Sequence, residues 1–307
     1  VIVLCGAQHA EPSLPRVLRT LGIRGPVALV TAGWQEREGE AGVVADPGVA
    51  AVELALHARG EQVFAKDKEL AEAWKARQLR LKLMQDFYRL RLDYAWQAAR
   101  AVAVRSAEPS LRTEEHVASL EMLRHLDRDH VARCQAVHDA FEAAYAPRER
   151  PVVRRHLAEL REAIAPTEAI VIAGGHVAVL LNRLRLFCVP ELAEGRPIIA
   201  WSAGAMALTE RVVLFHEDPP HGQAISEILE AGLGIARDIV VLPEPRLRLH
   251  LEDQARVGEL AQRYAPATCV AIDHGAQVYL EDGRAVRAVE AQRLDASGAV
   301  DRAWLAS

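Results

Sequence analysis

The 307-residue chain has little cysteine, little lysine and no long apolar run. Its cysteines, Cys5, Cys134, Cys188 and Cys269, lie far apart and form no C-x-x-C pair. That excludes a zinc ribbon and a disulfide framework and points to reduced, buried thiols. An excess of basic charge is also missing. The formal net charge is -5, so no nucleic-acid partner is expected. No apolar stretch is long enough to span a bilayer, so no membrane association is expected. The chain opens directly on the strand-like "VIVLCG" with no charged segment ahead of it. A secretory leader is therefore not expected, and a cytoplasmic location is. Internal repeats and low-complexity tracts are absent. What remains is ordinary for a globular protein, with 50% apolar and 26% charged residues. The length allows one large domain or two small ones.

Apolar runs alternate with helical periodicity at both ends of the chain. "VIVLC" (1–5) and "PVALVTAG" (26–33) read as strands; "LPRVLRTLG" (14–22) and "VAAVELALHARG" (49–60) read as helices closed by glycine. The pattern resumes at "EAIVIAGG" (168–175), followed by a helix and then the strand "RPIIA". "RVVLF" (211–215), "DIVVLP" (238–243) and "TCVAID" (268–273) follow as strands, with a helix over 252–265. A hairpin over 276–290 turns at Asp282-Gly283. Continuous apolar strands separated by helices predict an α/β fold with a mostly parallel sheet covered by helices on both faces.

The middle of the chain differs. From about Lys66 to Arg105 there is neither strand pattern nor glycine. Leu70, Trp74, Leu81, Met84, Phe87, Tyr88 and Tyr94 recur at helical spacing. Ser110 is placed to cap a second long helix that runs to Tyr145, and Pro151 opens a third over 151–164. The expected organisation is an α/β core of residues 1–65 and 165–307 with a helical insertion over 66–164. Its apolar helices offer a surface for a homo-oligomer.

Ligands of open α/β sheets bind beyond the carboxyl ends of the strands. The polar residues there are Gln8 and His9, Trp34 and Gln35, Gly174-Gly175-His176, Ser202, Glu244, and Asp273-His274. Ser202 lies in "AWSAGAMAL", which matches G-x-S-x-G with Ala200 for the first glycine. Small neighbours let a strand turn sharply into a helix while the serine is held strained. Two readings of Ser202 stand: a helix N-cap or a nucleophile. In the second, the Ala203 amide and the Gly175 turn would bind an oxyanion. His130, Cys134 and His138 share one helix face, but Cys134 fits the apolar stripe and no second motif accompanies them. No metal site and no cofactor are expected. His216 and His221 read as loop residues.

"AGGHVAVLLNRLR" followed by "IIAWSAGAMAL" resembles the serine hydrolases of the aspartyl dipeptidase and cyanophycinase family. The resemblance covers roughly 1–60 and 165–290. It implies a class I glutamine-amidotransferase-like fold, a small peptide or amide substrate, and a triad of Ser, His after a strand end, and an acid after a later strand. Here "VVLPEP" puts Glu244 at the histidine position, and "VAIDHG" puts His274 at the acid position. The two types look exchanged. The implied roles are Ser202 as nucleophile, His274 or His250 as base and Glu244 as its partner, with Glu244 and His274 in hydrogen-bond contact. Histidine suits the base because its ordinary pKa is ~6.5, against ~4.3 for glutamate. The alternative is a non-catalytic member of the family that binds a small ligand or a protein partner. Glutamine-amidotransferase chemistry is not expected, since none of the cysteines occupies the turn.

Overall fold

The computed structural model describes residues 1–9, 12–43, 49–215 and 225–305. In chain order the elements are β1 (Ile2–Cys5), α1 (Leu14–Thr20), β2 (Val27–Val30), β3 (Ala51–Glu53), α2 (Leu56–Lys66), α3 (Lys68–Ala103), α4 (Pro109–Tyr145), α5 (Pro151–Ile164), β4 (Ala169–Ile172), α6 (Val177–Leu186), α7 (Val189–Leu192), β5 (Ile198–Trp201) and α8 (Ala203–Leu208). They continue with β6 (Arg211–Leu214), β7 (Glu227–Ala231), β8 (Ile239–Pro243), α9 (Pro245–Arg248), α10 (Gln254–Tyr264), β9 (Thr268–Ile272), β10 (Gln277–Glu281), β11 (Arg284–Val289), β12 (Gln292–Leu294) and β13 (Val300–Asp301).

The central sheet has seven strands in the order β11-β10-β1-β5-β4-β2-β3. Its strands β1, β5, β4, β2 and β3 are mutually parallel, and β10 and β11 run antiparallel at one edge. Strand residues alternate between two cores. Val3, Val171 and Ile199 face α1 with Val17 and Leu18, whereas Leu4, Ile170 and Ala200 face the side of α2, α5 and α6. Burial on both faces explains why the strands read as unbroken apolar runs. The molecule is thus an α/β domain with a mixed, largely parallel sheet flanked by helices, plus an additional helical region.

Several expectations are revised. Strands β8 and β9 do not join the central sheet; they pair in parallel in a second sheet, β13-β12-β9-β8. Residues 49–60 are not one helix. Ala51–Glu53 is an edge strand beside β2, and α2 starts at Leu56. Gly60 does not end that helix but lies inside it, where a Cβ would come within 2.4 Å of the Arg183 guanidinium. The glycine serves close packing of α2 on α6. Strand β7, which pairs with β6, was not expected. Helix α4 is capped by the Glu108 side chain rather than by Ser110, with Pro109 in its first turn.

The α3–α4 hairpin packs against the second sheet and α10. Tyr88, Leu92, Trp96 and Leu123 share a core with Leu242, Leu260, Tyr264 and Cys269. Inside that core the fully buried Arg263 meets Asp127 at 2.8 Å, and the Tyr88 hydroxyl donates to Asp127 at 2.7 Å. Helix α5 packs directly on the central sheet through Val153, Leu157, Leu160 and Ile164. No helix among the described residues is long and apolar enough to cross a membrane.

Candidate active site

Ser202 joins β5 to α8. Its backbone sits at φ 49°, ψ −120°, and its side chain makes no capping bond, so it is not an N-cap by its hydroxyl. A positive φ of this kind is costly for a residue with a Cβ and persists only where the surroundings impose it. They do so here. The Ser202 amide donates to the Cys5 carbonyl at 3.2 Å, and its carbonyl accepts from Met206 at 3.1 Å. Two residues on, a Cβ at Gly204 would stand 2.7 Å from the Ile172 carbonyl oxygen, so only glycine lets α8 begin this close to β4.

The turn after β4 is shaped by the same demand. A Cβ on Gly174 would come within 3.0 Å of the Ser202 Cβ, and Gly175 has φ +111° with the Gly33 carbonyl against it. The His176 amide donates to Gly33 at 2.8 Å, and its imidazole caps α6 by accepting from the Val179 amide. The Gly175 and Ala203 amides donate to no backbone acceptor among the described residues. Both therefore remain available as donors beside the serine.

These ends wall a cleft of about 720 Å³ that includes His9, Trp34, Gly175, Ser202, Glu244 and Arg248. Gln8 fastens the β1 loop by accepting from the Leu14 amide and donating to the Gly6 carbonyl. Gly6 lies so near the end of β9 that a Cβ would overlap the Asp273 carbonyl. Trp34 and Gln35 follow β2, and Gln35 is itself strained at φ 59°, ψ −122°.

The expected contact between Glu244 and His274 is not formed. Glu244 lines the cleft in a left-handed conformation (φ 54°, ψ 50°), and its carboxylate accepts from Arg248 at 2.9 Å. His274 is bonded elsewhere. Its Nδ1 donates to the Ala7 carbonyl at 3.2 Å, and its ring stands edge-on to His9 with centroids 4.4 Å apart. The neighbouring Asp273 pairs with Arg246 at 2.6 Å. His250 is exposed, pairs with Glu252 at 2.8 Å and is not part of the cleft wall. Strands β8 and β9 do end side by side, since the Glu244 amide donates to Ile272, but the two side chains bond to different partners. His216 and His221 lie outside the described residues.

The sequence placed His9 at the strand ends without a catalytic role, yet it is the histidine that lines the cleft among the described residues; Arg248 beside Glu244 was not singled out. The sequence places His9 after β1 but gives no sign of where its ring points. Glu53 was not singled out either. Burial pushes the Glu53 carboxyl up to about 7, partly offset by bonds from the Thr31 hydroxyl and the Ala55 amide. The face of His130, Cys134 and His138 is turned inward. His130 stacks on Tyr88 and donates to the Leu229 carbonyl, while His138 pairs with Glu230 at 2.8 Å. Among the described residues no group of three or more His, Cys, Asp or Glu is arranged to hold a metal ion. All four thiols are buried, and burial pushes Cys5, Cys134 and Cys269 up to about 12 and Cys188 to about 11.

A serine held strained between a parallel strand and a helix, with free amides beside it at the carboxyl edge of the sheet, places the chain in the broad class of α/β proteins built around a strand-end serine. The chain belongs to peptidase family S51, whose sequence pattern matches residues 125–288. The match includes Gly174, Gly175, Ser202, Glu244 and His274. No curated protein matches the chain.

Proposed function

We propose that the cleft is the active site of a serine hydrolase with a class I glutamine-amidotransferase-like arrangement, acting on a peptide or amide bond. One observation carries the reading: Ser202 is held at φ 49°, ψ −120° with its hydroxyl uncapped, next to two amides without backbone acceptors. Backbone strain of this kind is maintained at sites where a side chain must be presented. In the proposed reaction the Ser202 Oγ attacks the carbonyl carbon of the scissile bond. The Gly175 and Ala203 amides receive the negative charge that develops on its oxygen. The hydroxyl proton goes to a base and from there to the leaving amine. That base is His9, which shares the cleft with Ser202. His274 stands behind it, itself fixed by the Ala7 carbonyl. Glu244 and Arg248 form a charged wall that positions the substrate. His250 has no part in this relay.

Labelling with a fluorophosphonate tests the reading directly. The wild type is expected to label at one site, and Ser202→Ala to lose the label. His9→Gln is expected to label at least tenfold more slowly, in line with the loss of a general base. A wild type that stays unlabelled over hours overturns the hydrolase reading.

The second reading, a binding protein without turnover, is favoured by the Ser202 hydroxyl. It accepts or donates no hydrogen bond to an imidazole or carboxylate among the described residues, and Glu244 is already held by Arg248. Under that reading the same cleft retains an amide ligand, and Ser202→Ala leaves binding unchanged.

A further inference from the structure

Helix α3 is apolar on two opposite faces. Leu70, Trp74, Leu81, Tyr88, Leu92 and Trp96 point inward and are buried. Leu79, Leu83, Phe87, Leu90 and Tyr94 point the other way and are 49–68% exposed. At about 100° per residue the second set lies half a turn from the first. A surface helix ordinarily carries polar residues there. From Leu83 onward the spacing is four, three, four, the d-a-d-a repeat of a coiled-coil seam. The apolar seam is bounded by Arg80 at the preceding a position and Gln97 at the following d; beyond Gln97 the repeat takes up Ala101 at a and Val104, just past the helix end, at d, and Val104 is 84% exposed. From Leu79 to Val104 the strip is about 38 Å long at the ~1.5 Å rise of a helix.

We propose that this strip is a two-fold interface between two copies of the chain, with their α3 helices side by side and parallel. The charges next to the seam select a second copy and its direction. Asp86 occupies position g, and Arg91 occupies position e of the following heptad. In a parallel pair, g of one helix faces that e of the other, so Asp86 meets Arg91 of the partner subunit, twice by symmetry. An antiparallel pair would instead oppose the g positions and bring the acids Asp86 and Asp93 of both copies together. Arg91 can take part: its side chain is 45% exposed, its Nε donates to the Phe87 carbonyl at 3.4 Å, and it meets Asp129 only at 3.9 Å. The area suffices. At roughly 100 Å² for each of the five large side chains, with Val104 and the stems of the flanking arginines added, each copy buries on the order of 600 Å², the lower end of a stable interface.

Sedimentation equilibrium of the full chain tests this, with a dimer expected at micromolar concentration. Phe87→Glu with Leu90→Glu is expected to raise the dissociation constant at least a hundredfold while the thermal melt stays in place, since both residues are exposed in one copy. Asp86→Arg and Arg91→Asp should each weaken the dimer, and together restore it. Leu83→Cys supplies a thiol at a d position. Under a mild disulfide oxidant such as diamide it is expected to cross-link the two copies, because a d residue faces its own counterpart in a parallel pair. The native thiols are buried and stay out of that reaction. A monomer across the concentration range overturns the proposal, as does a dimer indifferent to Phe87→Glu with Leu90→Glu. A monomer that binds anionic vesicles through the same residues does so too. Failure of the Leu83→Cys link in a dimer that Phe87→Glu with Leu90→Glu dissociates overturns the parallel arrangement.

Discussion

At the scale of single residues, the glycines around Ser202 separate shape from chemistry. A methyl group at Gly204 would run into the backbone carbonyls of Ile172 and Ala173, at 2.7 and 2.9 Å, and neither can move without disturbing β4. Gly204→Ala is expected to destabilise the fold by about 3 kcal/mol, read from urea denaturation. A methyl at Gly174 meets mainly the Ser202 side chain, at 3.0 Å. Gly174→Ala is expected to cost less in urea denaturation than Gly204→Ala, since its nearest contact is a side-chain carbon rather than a carbonyl, and to slow fluorophosphonate labelling at least tenfold by displacing Ser202. Equal labelling of the two proteins would remove Gly174 from the account of the site. The serine and its glycines were legible in the sequence because their constraint is local: a sharp strand-to-helix turn demands small residues next to it. The partners of Glu244 and His274 were not. A loop side chain's direction depends on what the rest of the fold places beside it, here Arg248 for one and the Ala7 carbonyl for the other.

Glu53 makes a residue-scale prediction about pH. Its carboxyl is pushed up to about 7 by burial, against an ordinary value of ~4.3 in the unfolded chain. Between those values the folded protein holds a proton that the unfolded chain has released. Stability therefore falls as pH rises from about 4.3 to about 7, and levels off above that. Glu53→Gln removes this contribution. Its melting temperature is expected to exceed that of the wild type at pH 8 and to match it near pH 4. Calorimetry across that range checks the sign, and a wild type at least as stable as the variant at pH 8 would contradict it.

At the scale of elements, helices were legible where one stripe met one core, as in α5 and α10. Helix α3 misled because periodicity locates faces but does not say which is covered. Phe87 and Tyr94 were grouped with Tyr88 in one stripe, and the fold puts them on opposite sides of the helix. Strand β3 was missed for the opposite reason, since three residues at a sheet edge have no period to read. What ties α3, α4 and α10 together is polar and did not show in the sequence pattern. Arg263, with no exposed side-chain surface, is matched by Asp127, by the Tyr88 hydroxyl and by the Ser226 carbonyl. Removing one partner leaves the other charge buried without compensation. Asp127→Ala is expected to cost about 3–5 kcal/mol in urea denaturation, whereas Asp127→Leu combined with Arg263→Met should recover most of it.

At the scale of the whole molecule, the proposed division into an α/β core and a helical insertion over 66–164 meets two physical difficulties. Helix α5 belongs to the principal core, where Leu160 and Ile164 pack with Ile170 and Ile172. The unit set apart by sequence character is then better drawn as the α3–α4 hairpin. That hairpin is not a detachable appendage either. It covers Val240, Leu242, Leu260 and Cys269 of the second sheet and α10, and it supplies the counter-charge for Arg263. Excising residues 68–145 and closing the gap with a flexible linker would expose that apolar surface and strand a buried guanidinium. Both effects act on the sheet that carries Glu244 and His274. The shortened chain is therefore expected to lose the cooperative unfolding transition, seen as a shallow melt by near-ultraviolet circular dichroism. The intact chain is expected to unfold in one step by both backbone and aromatic signals, since hairpin and sheet share a core. A shortened chain that melts sharply and still labels at Ser202 would instead establish the α/β core as a folding unit of its own.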